Sequence, residues 1–189
     1  MEWISKHKIL FIALLLTALV TIWYNCVHQE SLRDIKAYRG DGKIKYIPAP
    51  GPFGIDGSEI EMPHFDLSKS LDIEYNLSGL PRGGGYIIYL VVPAQAPLEK
   101  ILLGSLSYTI KVNGKVIKEV SSQIKNLVNN RRLGGDRFYF ETFNSKSQKW
   151  VHLLSDKQGT PTSLAVKCDN DFLRQPVEAY IALSRGGFK

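Results

Sequence analysis

The residues that could do chemistry are few. Of the four histidines, only His64 and His152 lie away from the apolar N-terminal stretch. His64 stands two residues before Asp66, and His152 four before Asp156. A histidine beside a carboxylate can serve as a general base for a serine, and such triads are set by geometry rather than chain order. No Gly-x-Ser-x-Gly marks a nucleophile, and no His-x-x-x-His offers metal spacing. Glu59 and Glu61 project to one side of an extended chain, as do Asp169 and Asp171 about Asn170. The second pair could give oxygens to calcium, but the calcium-loop pattern is missing and a solvated turn is expected. Pro81-Arg82-Gly83-Gly84-Gly85-Tyr86 has the glycines of an anion loop without the Lys-Ser/Thr ending or a following helix. A tight turn into a strand is expected there. No catalytic residue, metal site or cofactor site is therefore assigned.

Charge says more. Residues 30–74 carry nine acids and six bases, while residues 75–189 carry eight acids and sixteen bases. The C-terminal part thus has a positive field that favours an acidic partner: a protein, an anionic glycan or phospholipid headgroups. Lys118, Lys125, Arg131 and Arg132 are the candidate binding residues. Nucleic acid is not expected, since no recognition motif accompanies the charge.

The elements that hold these residues begin with Ile9–Tyr24, sixteen residues without a charge. Extended to Val27, the stretch would span roughly 28 Å as a helix, close to the thickness of a bilayer core. Lys6 and Lys8 precede it, so the positive-inside rule leaves the N-terminus in the cytoplasm and the rest outside. Trp23 and Tyr24 stand at the far end, where amphipathic rings favour headgroups. An uncleaved signal anchor is expected. A cleaved signal peptide would need a small-x-small site, and a lipoprotein would need a small residue before Cys26; Asn25 stands there. The division expected is a cytoplasmic N-terminus (1–8), a transmembrane anchor (9–27), a Pro/Gly-rich connector that can hold a short strand at 43–47 (28–64) and a β-sandwich domain (65–189). The location is the cytoplasmic membrane, with the C-terminal domain periplasmic or extracellular. Three alternating prolines in 48–52 suit a rigid extended connector.

From Ser70 the pattern has period two. Leu71, Ile73, Tyr75 and Leu77 alternate with polar residues. Tyr86–Val92 is apolar on both faces and reads as a central strand. Leu106, Tyr108, Ile110 and Val112 alternate up to Asn113-Gly114, a hairpin signal, and Lys115–Val120 returns. A two-residue loop would set Ile110 opposite Ile117; a bulged loop would shift that by one. Ile124, Leu127 and Val128 share a helical spacing, so one helix is expected over 121–135. Further strands are expected at 137–143, 150–154, 163–168 and 177–184. Without crossover helices, this is an all-β antiparallel sandwich. The layout, the phrase Ile-Lys-Val-Asn-Gly-Lys-Val-Ile at 110–117 and the closing Val-Glu-Ala-Tyr-Ile-Ala-Leu resemble the immunoglobulin-like β-sandwich domains of membrane-anchored bacterial envelope proteins. The resemblance covers roughly residues 65–185 and implies that fold and location, without an activity. The function expected is an extracytoplasmic binding or accessory module, such as an envelope-complex subunit or an immunity-type protein. An envelope hydrolase with a loop-built site and a structural spacer are the alternatives. Cys168 is expected as a small buried residue.

Overall fold

The computed structural model describes residues 2–47, 57–81, 86–129, 136–141, 143–144, 149–150, 152–153 and 159–185. Helix α1 (Glu2–Ala37) comes first. In chain order there follow β1 (Lys43–Ile47), β2 (Gly57–Glu61), β3 (Phe65–Asp66), β4 (Leu71–Asn76), β5 (Tyr86–Pro93), the one-turn α2 (Leu98–Ile101), β6 (Ser105–Val112), β7 (Lys115–Gln123), β8 (Val128–Asn129), β9 (Arg137–Glu141), β10 (Phe143–Asn144), β11 (Lys149–Trp150), β12 (His152–Leu153), β13 (Ser163–Asp169) and β14 (Glu178–Arg185).

Among the described residues the strands form two main antiparallel sheets. The larger runs β1-β2-β14-β5-β9-β8, with β12 paired to β5 and β3 to β14; the smaller runs β4-β13-β6-β7. Their inner faces meet in one core. Ile88, Leu90, Phe140, Ile181 and Leu183 come from the larger sheet, and Tyr75, Tyr108, Ile110, Leu164 and Val166 from the smaller. Period-two alternation in β4, β6, β13 and β14 delivers these residues to one side. β5 is buried on both faces, as its composition predicts. Its outer face joins Tyr89 and Val91 to Tyr139, Tyr180 and Ala182 in a second buried cluster. Cys168 is buried, and burial pushes its thiol up to about 12; Cys26 is exposed, and both are free thiols.

The hairpin turns on Asn113 and Gly114, both at positive φ. Val112 faces Lys115, so the loop has two residues, but a bulge follows at once and Ile110 faces Lys118. The two registers expected from sequence are thus combined.

The helix expected over 121–135 is not formed in its described part. Ser121–Gln123 completes β7, Ile124–Asn126 is a single 3-10 turn and Val128–Asn129 is a strand. The Ile124 and Lys125 amides donate to the carbonyls of Gly104 and Leu102 at 2.9 and 3.1 Å. Ile124 plugs the core. Pairing across the fold outcompetes a weak helical spacing of three apolar residues, two of them β-branched.

The sheet also begins earlier than residue 65. Residues 28–37 continue α1, and β1 and β2 pair with each other and then with β14. Gln29–Ala37 is rich in good helix formers, which lets the helix run past its apolar part until Gly40. The proline-rich run at 48–52 lies outside the described residues. Within α1, Lys8–Cys26 is long and apolar enough to cross a membrane, and none of it is buried.

Candidate functional site

The outer face of the larger sheet carries a charged and aromatic cluster at one end. β2 supplies Glu59 and Glu61, on the one side that their spacing predicts. β14 supplies Glu178 and Tyr180, two residues apart, and β9 begins with Arg137. His64 stands on the corner between β2 and β3. That corner is clamped to β14, because the Met62 amide donates to Ile181 O at 2.9 Å and the Leu67 amide to Val177 O at 2.8 Å. Asp66 closes the turn: one carboxylate oxygen accepts from the Ser68 amide, the Ser68 hydroxyl and the Val177 amide. These bonds, chiefly those from Ser68, hold its carboxyl below the usual range.

Within this frame His64 is gripped on both sides. Nδ1 lies 2.7 Å from Glu178 Oε1, and Nε2 lies 2.9 Å from Glu61 Oε1. Carboxylates only accept, so both ring nitrogens must donate, and that requires the imidazolium. The hydrogen bond to Glu178, seconded by that to Glu61, raises its pKa against the cost of desolvation. Glu61 also accepts from Lys45 Nζ at 2.8 Å, which holds its own carboxyl low. The His64 ring stacks on Tyr180, and Arg137 Nη1 donates to the Tyr180 hydroxyl at 2.6 Å. The Arg137 guanidinium carbon is 5.1 Å from the centre of that ring. Glu59, beside them, is raised by burial.

A small cleft is lined by His64, Val91, Val92, Pro93, Arg137, Glu178 and Tyr180. Past Pro93 and Glu178 a larger one, of about 640 Å³, opens between the end of β5, α2 and the turn before β14. Pro97, Leu173, Pro176 and Val177 give it apolar walls, Gln95 and Gln175 add amides, and Lys100 and Arg174 add two cations. Among the described residues Glu178 is its one acid, and that carboxylate is already matched by His64. The cleft is therefore net positive, apolar-walled and supplied with amide donors.

Both ring nitrogens of His64 are engaged by carboxylates, so neither is open to a substrate while that grip holds. No group of three or more His, Cys, Asp or Glu side chains among the described residues is arranged so that it could hold a metal ion. In the Asp169-Asn170-Asp171 turn, the buried Asn170 side chain donates to Ile101 O and accepts from the Phe172 amide. That turn braces α2.

The four basic residues expected from sequence are not gathered by what is described. Lys118 is half-buried near the hairpin end of β7, and Lys125 is exposed in the 3-10 turn beyond its other end. Six residues of mostly extended chain lie between them, roughly 20 Å. Arg131 and Arg132, the glycines at 83–85 and the side chain of His152 lie outside the described residues. Sequence reasoning singled out His64 and the Glu59/Glu61 pair but missed their partners. The signal for those was in the last strand, where Glu178 and Tyr180 alternate with the core-facing Ala179 and Ile181.

The chain matches no family model, no curated protein sequence and no solved structure.

Proposed function

We propose that the chain is a single-pass, membrane-anchored binding module, with an immunoglobulin-like sandwich held outside the cytoplasm. Its partner is an acidic protein segment that enters the cleft between β5, α2 and β14. The observation that carries this reading is the cleft itself: apolar walls, two amide side chains, and two cations facing one neutralised carboxylate. Such a surface favours an extended segment carrying Asp or Glu. The unburied apolar helix and the lysines before it support anchoring with the sandwich outside. An envelope-complex subunit and an immunity-type protein both fit the reading. The double grip on His64 disfavours a hydrolase site built on that residue.

The test has two arms. A reporter that is active only outside the cytoplasm, fused after the last residue, should be active. A partner co-purified with the full-length protein from solubilised membranes should be released as salt rises, because exposed charge pairs are screened. An inactive reporter, or retention indifferent to salt, would refute the proposal.

A further inference from the structure

The helix and the sheet domain are joined at two points, and the first lies at the edge of the apolar span. That span ends at Cys26. His28 comes two residues later, about 3 Å along the axis. A headgroup layer is roughly 5–7 Å thick on each side of a bilayer, so His28 falls within it when the span is in lipid. His28 Nδ1 lies 2.7 Å from the Tyr46 hydroxyl, and the two rings meet edge-on at 5.3 Å. Tyr24 stacks on His28, centroids 6.0 Å apart and planes 10° from parallel. Tyr46 belongs to β1, so one residue of the sheet domain stands at headgroup level.

The second joint lies at the helix end, about 13 Å further on at the helical rise. There a Cβ on Gly79 would run into the Ala37 carbonyl oxygen, so helix and turn are in close contact. The Arg39 amide donates to Ser78 O at 2.9 Å, and Tyr38 is buried in the main core. Between the joints α1 is unbroken. Two joints on one rigid rod fix the tilt of the domain against the span. From Tyr46 the pairing carries one row across the larger sheet, through Ser58 and Arg185 to Tyr86.

We propose that this pole of the larger sheet rests on the phospholipid headgroups, with Tyr24, His28 and Tyr46 as one interfacial belt shared by helix and sheet. Each of the three pairs an apolar ring with a polar tip, the chemistry that the headgroup layer selects. Arg185 and Glu178 stand seven steps apart along β14, up to roughly 23 Å of strand. The cleft at Pro93 and Glu178 therefore faces away from the membrane. The inference rests on the anchored reading proposed above.

The test places spin labels on the full-length protein in nanodiscs of phosphatidylcholine and phosphatidylglycerol. Cys26→Ser removes the exposed native thiol, and Thr17→Cys, Ile47→Cys or Lys69→Cys is then labelled. Collisions with oxygen and with a water-soluble nickel chelate report depth. The expected result is residue 17 shielded from nickel, residue 69 freely accessible, and residue 47 several-fold less accessible than 69. Residue 47 as accessible as 69, with 17 still shielded, would overturn the headgroup contact and leave the anchor standing. Nickel reaching residue 17 would overturn the anchor and the contact with it. Circular dichroism on each labelled variant checks that the sheets are retained.

Discussion

His64 and Tyr180 lie face to face, ring centroids 4.7 Å apart and planes 8° from parallel. The contact joins the corner after β2 to the last strand, and Arg137 extends it to β9 through the tyrosine hydroxyl. Three strands of the larger sheet are thereby tied on their outer face, at the mouth of the cleft.

The tie depends on pH. Hydrogen bonds to Glu178 and then Glu61 raise His64 above its ordinary 6.5. A base raised by folding stabilises most below its unfolded pKa, and that contribution fades as pH rises through the folded value. A ring-proton titration by NMR should place His64 above 6.5, and Glu178→Gln should lower the midpoint. A midpoint at or below 6.5 in the unaltered protein would contradict the grip.

Glu141 has the opposite consequence. Burial lifts its carboxyl from 4.5 to about 7. Ionisation is therefore disfavoured in the folded state, so stability falls as pH climbs from 4.5 to about 7 and then levels off. Glu141→Gln should raise stability above that window by up to ~3 kcal/mol and gain much less below it. Urea unfolding at the two ends of the range reads the difference, and equal effects at both would refute it.

Gly79 holds the second joint of the helix. Its φ is +73°, and an added Cβ would meet the Ala37 carbonyl oxygen. Gly79→Ala should cost ~2 kcal/mol or more from strain and clash together. Proteolysis between helix and sheets should rise in step with a lower thermal midpoint. An unchanged midpoint would show that the joint gives way freely.

Two positions on β14 separate packing from polarity. Ile181 is fully buried in the core, and Ile181→Ala should cost ~2–5 kcal/mol. The Ser184 hydroxyl is buried with no hydrogen-bond partner among the described residues. Ser184→Ala should be neutral or stabilising by ~1 kcal/mol, since it removes an unpaired polar group. Chemical denaturation of both variants makes the comparison, and a large loss in Ser184→Ala would reveal a partner for that hydroxyl.

The strands that show period two were legible in the sequence because burial on one face writes it there. Leu71–Asn76, Ser163–Asp169 and Glu178–Arg185 form where alternation places them. Tyr86–Pro93 is central because it is apolar on both faces. Gly57–Glu61 was hidden behind its prolines and glycines, and it is a strand because β1 and β14 flank it. Residues 121–129 carried a helical spacing that hydrogen bonds to Leu102 and Gly104 override. Of the site, His64, Glu59 and Glu61 could be picked out by residue type. Glu178, Tyr180 and Arg137 could not be joined to them, since strand order alone brings residues 61 and 178 together. Of the expected basic patch, Lys118 lies in β7 and Lys125 in the 3-10 turn beyond it, while Arg131 and Arg132 lie outside the described residues.

The most direct test of the binding module is to reverse the cleft charges. Lys100→Glu with Arg174→Glu is compared with Lys118→Glu and Lys125→Glu, all in the full-length protein from solubilised membranes, with circular dichroism as the check on folding. The cleft pair should abolish retention of the partner, and the β7 pair should leave it nearly intact. Retention that survives the cleft reversal in a folded protein would contradict the account.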